Sequence, residues 1–196
     1  NIYVEEGTIS RIKEINIVGN RLYQKEDLLQ SFNLKVTNFL SWWNKDDRYS
    51  KQVLNGDLEK LRSFYMDRGY LDFKINSSLI RISENKKNVY IDISITEGDK
   101  YFIADAKLSG KYENVPETLL KAQISLQKGQ VFNRAEVTAT TNRLNQILGD
   151  YGYAFSNANA IPDVDKEERT VSFNFFVDPG KKIYVRRINI FGNEKT

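Results

Sequence analysis

Six glycines, set in three pairs, constrain this chain more than any other feature. Gly7, Gly98 and Gly180 each follow an extended stretch, and Gly19, Gly110 and Gly192 come twelve residues after them. Residues 12–20 read IKEINIVGN and residues 185–193 read VRRINIFGN, with a poorer middle copy, IADAKLSG, at 103–110. The marks recur from Gly19 to Gly110, an offset of 91, and from Gly110 to Gly192, an offset of 82. A chain with this pattern folds as successive copies of one unit, each burying the same set of elements. The 196 residues then hold two complete copies, each of a size that a small domain needs.

The same order of elements is readable in both copies. A short strand ends at the Gly-Asn or Ser-Gly turn, where Gly and Asn permit positive φ. A short apolar helix follows, with Leu28 and Leu29 recurring as Leu119 and Leu120, again at an offset of 91. A longer helix is expected over residues 51–68, where Leu54, Leu58, Leu61 and Tyr65 share one face. Its counterpart covers 134–151, with Val137, Leu144, Ile147 and Leu148 at an offset of 83, and Asn133 with Glu136 forms a capping-box-like start. Both helices stop at a Gly-Tyr pair, 69–70 and 152–153, the glycine suiting a left-handed residue past the helix end.

Two strands close each copy. Val89, Ile91, Ile93 and Ile95 alternate with polar residues and become Val171, Phe173, Phe175 and Val177 at an offset of 82. Period two with one polar face predicts a sheet packed on one side and solvated on the other. In the strand before it, Leu71, Phe73 and Ile75 keep one parity while Ile80 and Ile82 keep the other, so a β-bulge is expected near residues 76–78. Two faces of mixed burial are the alternative. The fold class is therefore α+β: tandem β-α-α-β-β units, each a three-stranded mixed sheet covered on one face by two antiparallel helices.

The fall in offset from 91 to 83 places about eight extra residues between the helices of the first unit. They include both tryptophans of the chain, Trp42 and Trp43. Such a loop is either packed back over its own helices or presented to a partner.

Composition removes several chemistries. The chain has no Cys and no His, so disulfides, thiolate nucleophiles, Cys or His metal sites, Ser-His-Asp triads and imidazole acid–base catalysis are excluded. Acidic groups at Asp46-Asp47, Asp163, Asp165 and Glu167-Glu168 fall in hydrophilic connections and read as solvated turns. No phosphate-binding glycine motif occurs. Basic pairs at 86–87, 181–182 and 186–187 beside aromatic strands leave a single-stranded nucleic-acid binder as an alternative, weakened by acidic neighbours and a net charge of only +3. No apolar run approaches the length of a membrane helix, and Asn1 in place of Met points to an internal fragment.

INIVGN at 15–20, WWN at 42–44, GDLEKLRSFYMDRGYLDF at 56–73, ITEGDKY at 95–101 and YVRRINIFGN at 184–193 resemble the POTRA (polypeptide-transport-associated) units of outer-membrane β-barrel assembly factors of Gram-negative bacteria. The resemblance covers essentially the whole chain and is to a third and fourth unit. It implies residues 1–7 as the tail of a preceding unit, 8–98 as a unit with a Trp-containing insertion, 99–180 as the next, and 181–196 as the first strand of another. It also implies a periplasmic, non-catalytic scaffold without cofactors or metal. Its partners are a β-propeller lipoprotein of the BamB type, other assembly-complex lipoproteins and nascent outer-membrane β-barrel proteins, with membrane contact only through a C-terminal barrel. The POTRA part of a related outer-membrane transporter is the alternative within the family. By the same resemblance, partners dock on an edge strand at 73–82 and the nearby end of the first helix at 28–32. The candidate contacts are Phe73, Ile75, Asn76, Ser78, Ile80, Ile82, Leu28, Leu29 and Ser31, together with Trp42 and Trp43. For Leu28 and Leu29, and equally for Ile80 and Ile82, a place in the core is the competing reading.

Overall fold

A computed structural model of the chain describes residues 10–37, 48–112 and 114–182. The expectations for residues 1–7, for Asp46, Asp47, Trp42 and Trp43, and for all but the first two residues of the strand at 181–196 lie outside these residues. The chain divides into two compact units, the first ending at Tyr101 and also taking in Val131–Arg134, the second comprising the remainder.

The first unit runs β1 (Arg11–Val18), α1 (Lys25–Gln30), α2 (Lys51–Met66), β2 (Lys74–Ile82) and β3 (Asn88–Thr96). Its sheet has the order β1-β3-β2, with β1 parallel and β2 antiparallel to β3. The second unit repeats this as β4 (Phe102–Gly110), α3 (Glu117–Lys121), α4 (Arg134–Asp150), β5 (Asn157–Asp165) and β6 (Thr170–Asp178), with β6 in the centre. The most strictly alternating strand takes the central place in each sheet. Val89, Ile91, Ile93 and Ile95, and their equivalents Val171, Phe173, Phe175 and Val177, are all buried. A central strand has its ladder satisfied on both sides, so it carries the largest share of one-sided apolar burial.

Glycine is needed at two repeated positions. Gly19 and Gly110 have φ of +101° and +111°, and a Cβ there would run into the carbonyl oxygens of Ile95 and Val177. Each end of the first strand therefore lies against the backbone of the central one, where no side chain fits. At the ends of the long helices, Tyr70 donates its N–H to the Tyr65 carbonyl across Gly69, and Tyr153 donates to Leu148 across Gly152. That closure needs a left-handed residue between donor and acceptor. At the other end of α2, Ser50 is extended and its hydroxyl accepts from the Val53 N–H.

The α2 face buries Leu54, Leu61 and Tyr65 as the spacing predicts, and also Asp57, which lies on the same face one turn after Leu54. Leu28, Phe32, Leu34 and Phe73 complete the first core with Ile12, Ile15 and Ile17 of β1. Phe73 precedes β2 rather than belonging to it and stacks on Tyr65, with ring centroids 4.4 Å apart.

Candidate docking edge

Each sheet has two outer strands, and in each unit one of them is partly covered. On β1, the Ile12 carbonyl accepts from both the N–H and the hydroxyl of Thr37 at 2.8 Å, and Arg11 bridges to Arg48. On β4, Ile103 donates to the Gln130 carbonyl and accepts from the Gly129 N–H. The other outer strand of the first unit, β2, has no backbone partner beyond β3 among the described residues.

The register of β2 shows which of its groups point outward. The hairpin bond from the Ser83 N–H to the Asn88 carbonyl puts Ser83 in the ladder, so Arg81, Leu79 and Ser77 also pair inward. The amides and carbonyls of Ser78, Ile80 and Ile82 therefore face the open edge. The expected bulge is present: pairing with β3 slips between Ile75 and Ser77, leaving Asn76 as the extra residue, its side-chain amide donating to the Thr96 hydroxyl at 3.0 Å. Beyond the bulge the strand is regular to Ile82. Leu79 and Ile82 are more than half exposed and Ile80 is 38% exposed. Arg81 is held on the outer face by two 2.8 Å contacts to the Asp92 carboxylate.

The sequence-predicted contacts thus separate. Ser78, Ile80 and Ile82 lie together on the open edge, with Asn76 at its bulge and Ile75 half-buried before it. Phe73 and Leu28 are core residues, 3% and 0% exposed, so their side chains are not on the surface. Leu29 is half-buried and lines a cleft of about 570 Å³ with Ile15, Leu34 and Thr37. That cleft is on the β1 side of the sheet, and β3 lies between it and β2. Ser31 is exposed, its hydroxyl donating to the Leu28 carbonyl at 3.4 Å.

Two buried carboxylates fasten the frame that carries this edge, and apolar periodicity misses both. Asp57, fully buried on α2, accepts the backbone N–H groups of Asn33 and Leu34 at 2.8 Å each and the Lys60 ammonium at 3.0 Å. The equivalent slot in the second unit, at the helix offset of 83, holds buried Thr140, and Arg143 stands for Lys60. There the polarity is reversed: Arg143 donates to the Gln123 carbonyl, the Ser125 hydroxyl and the Thr140 hydroxyl. A polar residue on an otherwise apolar helical face at the same place in both copies is the signal that could have found them. Glu97, in the ITEGDKY string, accepts from the Arg21 and Leu22 amides and from the Tyr65 hydroxyl at 2.8 Å, pinning the turn after β1 to the end of β3. Burial first, and then the bond to Glu97, holds the Tyr65 hydroxyl far above the ordinary tyrosine range. Tyr70 is also raised, by burial and by its hydrogen bond with Tyr23.

Among the described residues the acidic groups named above do not come together as a metal site. Asp165 accepts the N–H groups of Glu167 and Glu168, as a solvated hairpin turn does. Among the described residues no three Asp or Glu residues are placed to hold a metal ion, and no helix is long and apolar enough to cross a membrane.

Comparison with known proteins agrees with this architecture. The chain is 33% identical over its whole length to the outer membrane protein assembly factor BamA of Buchnera aphidicola and 30% identical to that of Neisseria meningitidis. It spans 31% and 25% of those proteins' lengths. The crystal structure of Haemophilus influenzae BamA POTRA3-5 matches the fold with a TM-score of 0.79 at 21% identity, over 98% of this chain and 76% of that one. The family model described as "POTRA: Surface antigen variable number repeat" matches twice, at residues 10–98 and 101–180. With both repeats matched and the β-α-α-β-β order found in each, the chain belongs to the POTRA family.

Proposed function

We propose that this chain is a non-catalytic scaffold segment of an outer-membrane β-barrel assembly factor, working in the periplasm of a Gram-negative bacterium. It holds lipoprotein partners, a BamB-like β-propeller lipoprotein among them, and receives nascent outer-membrane β-barrel proteins. The similarity to two BamA proteins over the full length of the chain supports the general role. The observation that carries the mode of action is the β2 edge, where Ser78, Ile80 and Ile82 present outward amides and carbonyls beside the exposed side chains of Leu79, Ile80 and Ile82. An extended segment adds to such an edge through its own backbone, with little demand on its sequence. That indifference suits a receptor for many unrelated barrel proteins.

The test is Ile80→Pro. Proline here removes an outward donor and leaves the ladder to β3 intact, because Ile80 does not donate inward. Binding of an unfolded outer-membrane barrel protein, and separately of the β-propeller lipoprotein, is measured against the unaltered chain. Weakened binding by a folded variant is the expected result. Unchanged binding of both partners by a folded variant refutes the edge as the docking element.

A further inference from the structure

The two repeats do not offer equivalent edges. Paired against the central strand, Pro162 of β5 stands opposite Phe173, as Ile80 of β2 stands opposite Ile91, and Phe173 and Ile91 hold the same place in the two central strands. The β5–β6 register runs from Asn157 to Asp165 without a shift, so Pro162 interrupts no inward bond and its ring nitrogen faces the open edge. Ala158 shares that parity, and its N–H does turn away from β6, donating to the Asn145 side-chain oxygen of α4 at 2.9 Å. The outward positions of β5 are therefore 158, 160, 162 and 164.

An added strand would find little there. The first outward amide is already taken by Asn145 and the third does not exist. Ala160 and Val164 remain, each isolated between positions that cannot donate or beside the closing turn. On β2 three successive outward donors, Ser78, Ile80 and Ile82, are present, and the bulge at Asn76 comes before them. Arg62, the counterpart of Asn145 by the helix offset of 83, pairs with Glu59 instead of reaching the strand. Strand addition gains from consecutive bonds, because the ordering cost of the incoming segment is spread over each bond made.

We propose that Pro162 and Asn145 close the edge of the second unit to strand addition, so that an extended polypeptide is confined to β2 of the first. This rests on the reading of β2 as a strand-accepting edge. It makes Pro162 and Asn145 specificity-determining residues: they decide which repeat accepts a segment, although neither touches it. Two identical accepting edges on one chain would allow a client to be held in competing places. One open edge among the described strands gives it a single place there.

The experiment follows backbone amide exchange by NMR in the full chain. The probe is a synthetic peptide of alternating Val and Thr, as long as β2 and flanked by Lys. In the unaltered chain the peptide slows exchange at Ser78, Ile80 and Ile82 and leaves Ala160 and Val164 unchanged. In Pro162→Val, a β-branched residue suited to a strand, the peptide slows Ala160, Val164 and the new amide at 162. One restored bond strengthens peptide capture at β5 about fivefold, and adding Asn145→Ala brings the gain to about 25-fold. The β6 amides in the ladder report that each variant is folded. The proposal is overturned if the unaltered chain shows protection at Ala160 and Val164 equal to that on β2. It is overturned equally if a folded Pro162→Val gains no protection on β5. Failure at Ser78, Ile80 and Ile82 in every protein refutes the β2 reading instead, and is scored on different amides.

Discussion

Replacing Asp57 by alanine tests whether a buried carboxylate or the apolar face around it holds α2 to the rest of the first unit. The carboxylate is fully buried and receives three donors: the Asn33 and Leu34 amides at 2.8 Å and Lys60 at 3.0 Å. In Asp57→Ala the buried Leu34 N–H loses its partner, at a cost of about 1–3 kcal/mol. Asn33 is exposed, so water replaces part of its bond and the loss is nearer ~1 kcal/mol. Lys60 keeps the Ser31 carbonyl at 2.9 Å and is partly solvated, and it adds little. Against this stands relief from holding a carboxylate out of water, which for poorly satisfied ion pairs outweighs the attraction. Here the oxygens are satisfied by two backbone amides as well as the ammonium, so the loss dominates. The expected net cost is about 2–4 kcal/mol, which lowers the unfolding midpoint of a domain this size by roughly 10–30 °C. Asp57→Asn retains one accepting oxygen and falls between the two. Amide NMR signals of α2 and β3, followed through urea unfolding, read this unit alone. The denaturant slope should stay constant while the midpoint falls. A loss under about 0.5 kcal/mol, the range of an ordinary surface substitution, or any gain, would refute the reasoning.

Two further outcomes follow from the same frame. Burial holds the Tyr65 hydroxyl above its ordinary value of 10.0, so the folded unit keeps a proton that the unfolded chain releases above that pH. Its contribution is complete below pH 10 and is lost as pH rises further; Tyr70 is shifted in the same direction and adds to the fall. Urea midpoints measured at intervals from neutral pH into the alkaline range should therefore drop above about pH 10, and Tyr65→Phe should make the drop shallower. Gly19→Ala places a Cβ against the Ile95 carbonyl oxygen at a φ of +101°, and should cost about 2–4 kcal/mol in thermal unfolding; an unchanged midpoint would mean that the strand end moves freely away from β3.

Much of this protein was determined by sequence alone, because the pattern and its physical cause are both local. Alternation at 89–95 and 171–177 follows from a two-residue period with one dry face, and the tertiary structure puts those residues at the centre of each sheet. The parity change between Ile75 and Ile80 appears as the bulge at Asn76, since a single extra residue is what exchanges the faces of a strand. The Gly-Tyr stops rest on backbone geometry that no neighbour needs to supply. What the tertiary structure decided concerns groups whose partners lie far along the chain. Asp57 carries no signal of its own in the apolar period of α2, and its role shows only when the amides of Asn33 and Leu34, 24 and 23 residues away, are seen to converge on it. Phe73 passes for a contact, and Leu28 stands between contact and core, until the packing of the first core and the Tyr65 ring is known. That Leu29 lies beside Ile15 of β1 while Ile80 lies on the other outer strand depends on strand order, which hydrophobic periodicity does not encode. Pro162 is an ordinary letter in the sequence. Only its pairing with Phe173, at the position that Ile80 takes opposite Ile91, turns it into the difference between a closed edge and an open one. A period is a property of consecutive residues, whereas an edge is defined by which strand is missing beside it.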